Sequence, residues 1–263
     1  MSDANGVTAA VAAGVAMADA PIMIEGVPHL IVPEGYKAEN FARLMPAPLR
    51  PDTTVELDDT ASFIAFVQQH RTEATALYLN QAASTFTAIF DDHRPGAPGW
   101  REFRAAFAPK LSPNWSAWAA CSGREMSQER FAEFVEDNLP DIVEPPAADM
   151  LTVSRELIAK KKVHFAQGIR LANGQTELTY REEISGQTKG GKMAIPEVFY
   201  LGLSVYAGEP PHKVGARLRY RITDSGLSMK FLLIRPDDII QDALAAIEAR
   251  ITAALGPVLH GQP

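Results

Sequence analysis

The chain has 263 residues, 46% hydrophobic and 22% charged, with a formal net charge of −7. That length is enough for a real core without disulfide or metal staples, and the composition excludes a wholly disordered chain. The acidic excess argues against a purely electrostatic nucleic-acid binder, and the single cysteine, Cys121, excludes an intramolecular disulfide framework or a cysteine-based zinc site and fits a reducing compartment.

Residues 9–20 are rich in alanine and valine and mimic the apolar stretch of a secretory signal. Ser2 and Asp3 precede them, however, and no Lys or Arg occurs before Lys37, whereas a signal needs a positive start. The stretch is also too short and too alanine-rich to span a bilayer. Pro21, Pro28, Pro33, Pro46, Pro48 and Pro51 break any long element, leaving a short strand over residues 27–32. Residues 1–50 therefore read as an arm or wrapping segment, and residues 51–263 as a single domain.

Residues 58–71 form the first clear helix, capped by Asp58 or Asp59, with Phe63, Ile64, Phe66 and Val67 as its apolar stripe. The period then changes to two. Residues 76–80 and 85–90 read as a hairpin across 81–84, and residues 101–109 extend that sheet after a Pro- and Gly-rich loop. Residues 112–123 place Trp115 and Trp118 three apart, on one face of a short helix. Ser127 starts the next helix, with Phe131, Phe134, Val135 and Leu139 inward and Glu133, Glu136 and Asp137 outward. Residues 147–160 form another, with Met150, Leu151, Leu157 and Ile158 on its buried side.

The carboxy-terminal half is strand-rich. Residues 163–172 and 175–185 flank Asn173-Gly174, a strong hairpin turn signal. A third strand covers 195–206, and a second hairpin joins 214–222 to 227–235 across 223–226. The closing helix, 236–255, enters through Pro236 and Asp237 and stops at Gly256 and Pro257. Its apolar face is Ile239, Ile240, Leu244, Ile247, Ile251 and Leu255. Sequential hairpins with helices between them predict an α+β fold, mainly an antiparallel sheet of hairpins with helices packed on it.

Local chemistry is sparse. There is no Walker-type phosphate loop, dinucleotide fingerprint or nucleophile elbow, and Thr188-Lys-Gly-Gly-Lys192 lacks the spacing and the following helix of a phosphate loop. Asp91, Asp92 and His93 are metal-compatible, but consecutive strand residues alternate faces and converge poorly. The histidines His29, His70, His93, His164, His212 and His260 are far apart in the chain, so no metal or cofactor site is read. Trp115 and Trp118 read as core packing in preference to base stacking, and Glu133, Glu136 and Asp137 as a solvated helix face. No catalytic residue is assigned, which leans towards a non-enzymatic protein. A site assembled from distant residues would leave no local motif.

The most specific surface pattern is Arg217, Arg219 and Arg221, which strand alternation places on one face, with Leu218, Tyr220 and Ile222 on the other. If the turn pairs Ile222 with Leu227, Lys230 comes opposite Arg219, and Lys213 extends the stripe. Such a face grips phosphates. The competing reading pairs these cations with Glu177, Glu182 or Glu183 of the preceding hairpin.

The run Phe131-Ala-Glu-Phe-Val-Glu-Asp-Asn138, then Leu178-Thr-Tyr-Arg-Glu-Glu183, Ile195-Pro-Glu-Val-Phe199, Ala216-Arg-Leu-Arg-Tyr-Arg221 and Arg235-Pro236 resembles the YfdQ-like family of phage and prophage proteins, over roughly residues 54–255. The resemblance brings no catalytic residues. It implies a phage-encoded protein working in the cytoplasm of the bacterial host, in the company of phage DNA metabolism. The expectation is then a non-enzymatic accessory protein that binds single-stranded nucleic acid in phage replication, recombination or defence evasion, away from membranes. The alternative is a self-assembling structural protein, a homo-oligomer that uses its amino-terminal arm on a second copy or on another protein.

Overall fold

The computed structural model describes residues 22–24, 27–29, 46–48, 50–156, 195–223 and 226–263. The chain divides into two compact units, Met1–Pro51 and Asp52–Pro263. In the first, strand β1 (Ile22–Ile24) pairs antiparallel with β2 (Val27–His29), Ile24 facing Val27. Strand β2 falls within the strand expected at 27–32, of which residues 30–32 lie outside the described residues, and its partner was not anticipated. The expected hairpin around Asn173-Gly174, the loop at 188–192 and the helical residues Leu157 and Ile158 lie outside the described residues.

In the second unit, period-two alternation produces the strands where it is longest. Strands β4 (Ala76–Asn80) and β5 (Thr85–Ile89) form the expected hairpin, Leu79 facing Phe86, with Leu77, Leu79, Phe86 and Ala88 buried. Strand β6 (Arg104–Phe107) continues the sheet antiparallel to β5. The edges break the pattern: β3 (Thr54–Leu57) lies parallel to β6, and β12 (Leu259–His260) parallel to β4. Parallel neighbours need a long crossover connection, which tandem hairpins do not supply. Helix α1 (Thr60–His70) lies within that crossover. Its cap is Asp59, whose Oδ1 accepts the Ser62 N–H at 2.8 Å. Its inward Phe63 ring meets Phe86 and Phe107.

The second sheet runs β7 (Met126–Ser127), β11 (Gly226–Leu233), β10 (His212–Thr223), β9 (Val198–Leu203), β8 (Ile142–Glu144), with every pair antiparallel. Helix α2 (Pro113–Cys121) begins at Ser112, whose Oγ accepts the Trp115 N–H, and α3 (Gln128–Asp137) at Ser127, whose Oγ accepts from Arg130. Trp115 and Trp118 are fully buried, which ends the base-stacking alternative. The Trp118 ring stands edge-on to Phe134 and Phe231, at 4.9 and 5.0 Å between centroids. Its Nε1 donates to Asp141 Oδ2 at 2.8 Å, while Asn114 Nδ2 donates to Oδ1.

On α3, Phe131, Ala132 and Val135 are buried, and Glu133, Glu136 and Asp137 are exposed. Glu136 pairs with Arg155 of helix α4 (Ala147–Glu156). The long helix α5 (Pro236–Leu255) buries Ala243, Leu244, Ile247, Ile251 and Leu255. Among the described residues one hydrophobic cluster joins the two larger sheets and these helices, giving the α+β fold read from the sequence. Among the described residues no helix is long and apolar enough to cross a membrane.

Candidate nucleic-acid interface

Strand β10 carries two chemistries. Val214, Ala216 and Leu218 are buried in the core, and the intervening Arg217, Arg219 and Arg221 are exposed on the opposite face. Successive same-face positions on a strand lie about 7 Å apart, twice the rise per residue. The β10–β11 ladder pairs Ile222 with Leu227, Arg221 with Ser228 and Arg219 with Lys230. The basic face is therefore two strands wide, with Lys230 beside the arginine row.

A carboxylate that the sequence reading missed sits in this face. Glu125 belongs to a segment stitched along the edge of β11. The Leu233 N–H donates to Ser122 Oγ at 3.1 Å, the Gly123 N–H donates to the Phe231 carbonyl at 2.7 Å, and β7 then pairs Met126 with Met229 and Ser127 with Ser228. Gly123 takes a φ of 81°, a left-handed turn that glycine adopts without penalty. This stitching carries Glu125 to its cations: Oε2 is 3.1 Å from Arg221 Nη2, and Oε1 is 3.4 Å from Lys230 Nζ. Glu125, Arg219, Tyr220, Arg221, Ser228 and Lys230 frame a shallow pocket of about 130 Å³. Glu125 is nearly a hundred residues from Arg221 in the chain, so no local pattern could mark it.

Lys213 shares the strand face but is otherwise engaged. Its Nζ lies 2.7 Å from Glu144 Oε2 and 4.1 Å from the centre of the Tyr200 ring. The hydrogen bond to Glu144 holds its ammonium above the usual lysine range. Between Lys213 and Arg217, a Cβ on Gly215 would come within 3.1 Å of Ile234 Cδ1, so the glycine leaves room for that side chain. The structure thus brings Arg219, Arg221 and Lys230 together, continues the row to Arg217, and sets Lys213 apart with its own counter-ion. Among the described residues no ion pair forms at Arg217 or Arg219. The carboxylates expected to neutralise the row, Glu177, Glu182 and Glu183, lie outside the described residues.

The Asp91–His93 cluster is taken up by its own loop. Asp91 accepts the Glu102 and Phe103 N–H groups at 3.1 and 3.2 Å, and His93 Nδ1 accepts the Gly99 N–H. The buried Asp92 accepts the Tyr78 hydroxyl at 2.5 Å and lies 2.9 Å from Arg101 Nε, a charge contact without hydrogen-bond alignment. Burial pushes the Asp92 carboxyl up, but the bonds from Tyr78 and the His93 N–H, with the Arg101 charge, outweigh it and hold it below the usual range. The same bond raises Tyr78 above the ordinary phenol value. The three side chains face three different partners, and no cluster among the described residues could hold a metal ion.

A family model described as "Uncharacterized conserved protein (DUF2303)" matches residues 4–263. Its span takes in the first 50 residues, which the resemblance read from the sequence had left out. No curated protein and no solved structure matches the chain.

Proposed function

This chain belongs to the DUF2303 family of uncharacterized conserved proteins, and we propose that it binds single-stranded nucleic acid, weakly and with little sequence preference, on the outer face of β10 and β11. The observation that carries this reading is the exposed row of Arg217, Arg219 and Arg221 with Lys230 across the ladder. Among the described residues, four cations share this face with one carboxylate, in a chain whose net charge is −7. A local excess of this kind attracts a phosphate backbone that the rest of the surface repels.

Spacing of about 7 Å along a strand is comparable to that of phosphates on an extended single strand. Phosphate contacts fix position without reading bases. Trp115 and Trp118 are buried and Lys213 covers the Tyr200 ring, so these three aromatics add no base stacking. Backbone attraction alone supports low affinity and broad sequence tolerance. The resemblance to phage and prophage proteins supplies the setting: a non-enzymatic accessory role in phage DNA replication, recombination or defence evasion, in the bacterial cytoplasm.

Fluorescence anisotropy with a labelled oligonucleotide at low salt tests this. The native protein binds, and the triple variant R217S/R219S/R221S loses binding while its circular dichroism stays unchanged. The separate Met1–Pro51 unit favours self-assembly as the second reading. On that reading, deletion of residues 1–20 lowers the oligomer mass in light scattering and leaves the melting temperature of the remainder nearly unchanged.

A further inference from the structure

Resting on that reading, we infer that the pocket beside Arg221 is the seat of one backbone phosphate, and that Glu125 is an internal competitor which occupies it until the strand displaces it. The pocket has the donors a phosphate needs. Arg219, Arg221 and Lys230 supply charge from two neighbouring strands, and Ser228 stands opposite Arg221 in the ladder. The pocket, of about 130 Å³, is shallow and open to solvent, so a phosphate enters it from the surface.

The Glu125 carboxylate already does what a phosphate would do there. Both its oxygens lie within 3.3 Å of Arg221 Nη2, and one of them also reaches Lys230 Nζ at 3.4 Å. It bridges two strands as a two-oxygen anion. Its side chain and that of Arg221 are 46% and 67% exposed, so the contact faces solvent. Exposed pairs of this kind are weak and screened by salt, and a multiply charged anion can replace the carboxylate. The backbone carrying Glu125 is held on both sides by β11, so the side chain alone moves when displaced.

A purely structural pair makes a different prediction. It would anchor the edge segment, so neutralising Glu125 would lower stability and leave anion affinity unchanged. E125Q keeps the shape and removes the competing charge. With a labelled oligothymidylate, E125Q binds several-fold more tightly than the native protein. Its salt dependence stays close to that of the native protein, because the same phosphate sits between Arg221 and Lys230 in both complexes and only the competing carboxylate is gone. With inorganic phosphate against chloride at matched ionic strength, phosphate raises the melting temperature of E125Q more than that of the native protein, and R221S/K230S abolishes the difference.

Equal phosphate responses in E125Q and the native protein overturn the inference, whatever the oligonucleotide does. A native protein that binds oligothymidylate with E125Q no tighter overturns the inference and leaves the nucleic-acid reading standing. A phosphate response in E125Q that R221S/K230S abolishes, with no oligonucleotide binding by either protein, upholds the pocket and retires the strand as its occupant.

Discussion

Asp141 holds the second sheet to its helices through one side chain. It is 7% exposed, and its two oxygens accept from Trp118 Nε1 and Asn114 Nδ2, both at 2.8 Å. Asp141→Ala orphans both donors, but not equally. Asn114 is exposed and turns to water, whereas Trp118 is fully buried and, among the described residues, its indole N–H donates to Asp141. A hydrogen bond to a charged group contributes about 1.5–3 kcal/mol, so the expected loss is in that range, nearly all of it from the indole. Asp141→Asn keeps an acceptor for Trp118 and costs less than about 1 kcal/mol. Urea denaturation followed by tryptophan fluorescence measures both variants. In a double-mutant cycle, Trp118→Phe removes the orphaned donor, so Asp141→Ala costs much less in that background. A loss below about 0.5 kcal/mol for Asp141→Ala, or strict additivity in the cycle, refutes the reasoning.

The Tyr78–Asp92 bond makes a pH prediction of defined sign. Asp92 titrates lower in the folded state than in the unfolded chain, so its contribution is present above about pH 4 and fades as pH falls through the folded value. Tyr78→Phe weakens that depression and moves the acid unfolding midpoint to higher pH. Tyr78 titrates higher when folded, so its contribution is present below about pH 10 and is lost as pH rises through the folded value, a loss the Phe variant does not share. Melting temperatures across pH check both limbs. Gly99→Ala puts a Cβ 1.8 Å from the Asp91 carbonyl oxygen, which only a shift of backbone relieves, while Gly96→Ala meets nothing within 4 Å and carries only the strain of a φ of 73°. Thermal denaturation should show Gly99→Ala the costlier by more than about 1 kcal/mol, and the reverse order would contradict the loop geometry. Phe131→Ala empties a fully buried site and costs about 3–5 kcal/mol, whereas the half-buried Phe134 costs less, which chemical denaturation ranks directly.

What the sequence revealed follows from the range of the signal. The hairpin at 76–80 and 85–90 and the Ile222–Leu227 register were legible because alternation and turn length act within ten residues. Helix starts at Asp59, Ser112 and Ser127 have a local cause, a side chain that accepts an N–H three residues on. The parallel edges β3 and β12 were not legible, because four- and two-residue strands show too little alternation to betray their partners. Asp141 and Glu125 stayed hidden for the related reason that their partners come from distant segments. The arginine row could be placed on a face from the sequence, but the carboxylate seated among its cations belongs to the fold. Asp91, Asp92 and His93 show the converse, a locally suggestive cluster whose members turn out to stitch their own loop.

Phosphate contacts made by the β10–β11 face register in the salt dependence of binding. With oligothymidylate of fixed length, two to four phosphate contacts predict a log–log slope between roughly −1.4 and −2.8. R217S/R219S removes two contacts and flattens that slope by roughly 1.4, while a mixed-sequence oligonucleotide gives the same slope as the homopolymer. A native protein with no measurable binding at low salt, or a double variant with an unchanged slope, contradicts the account.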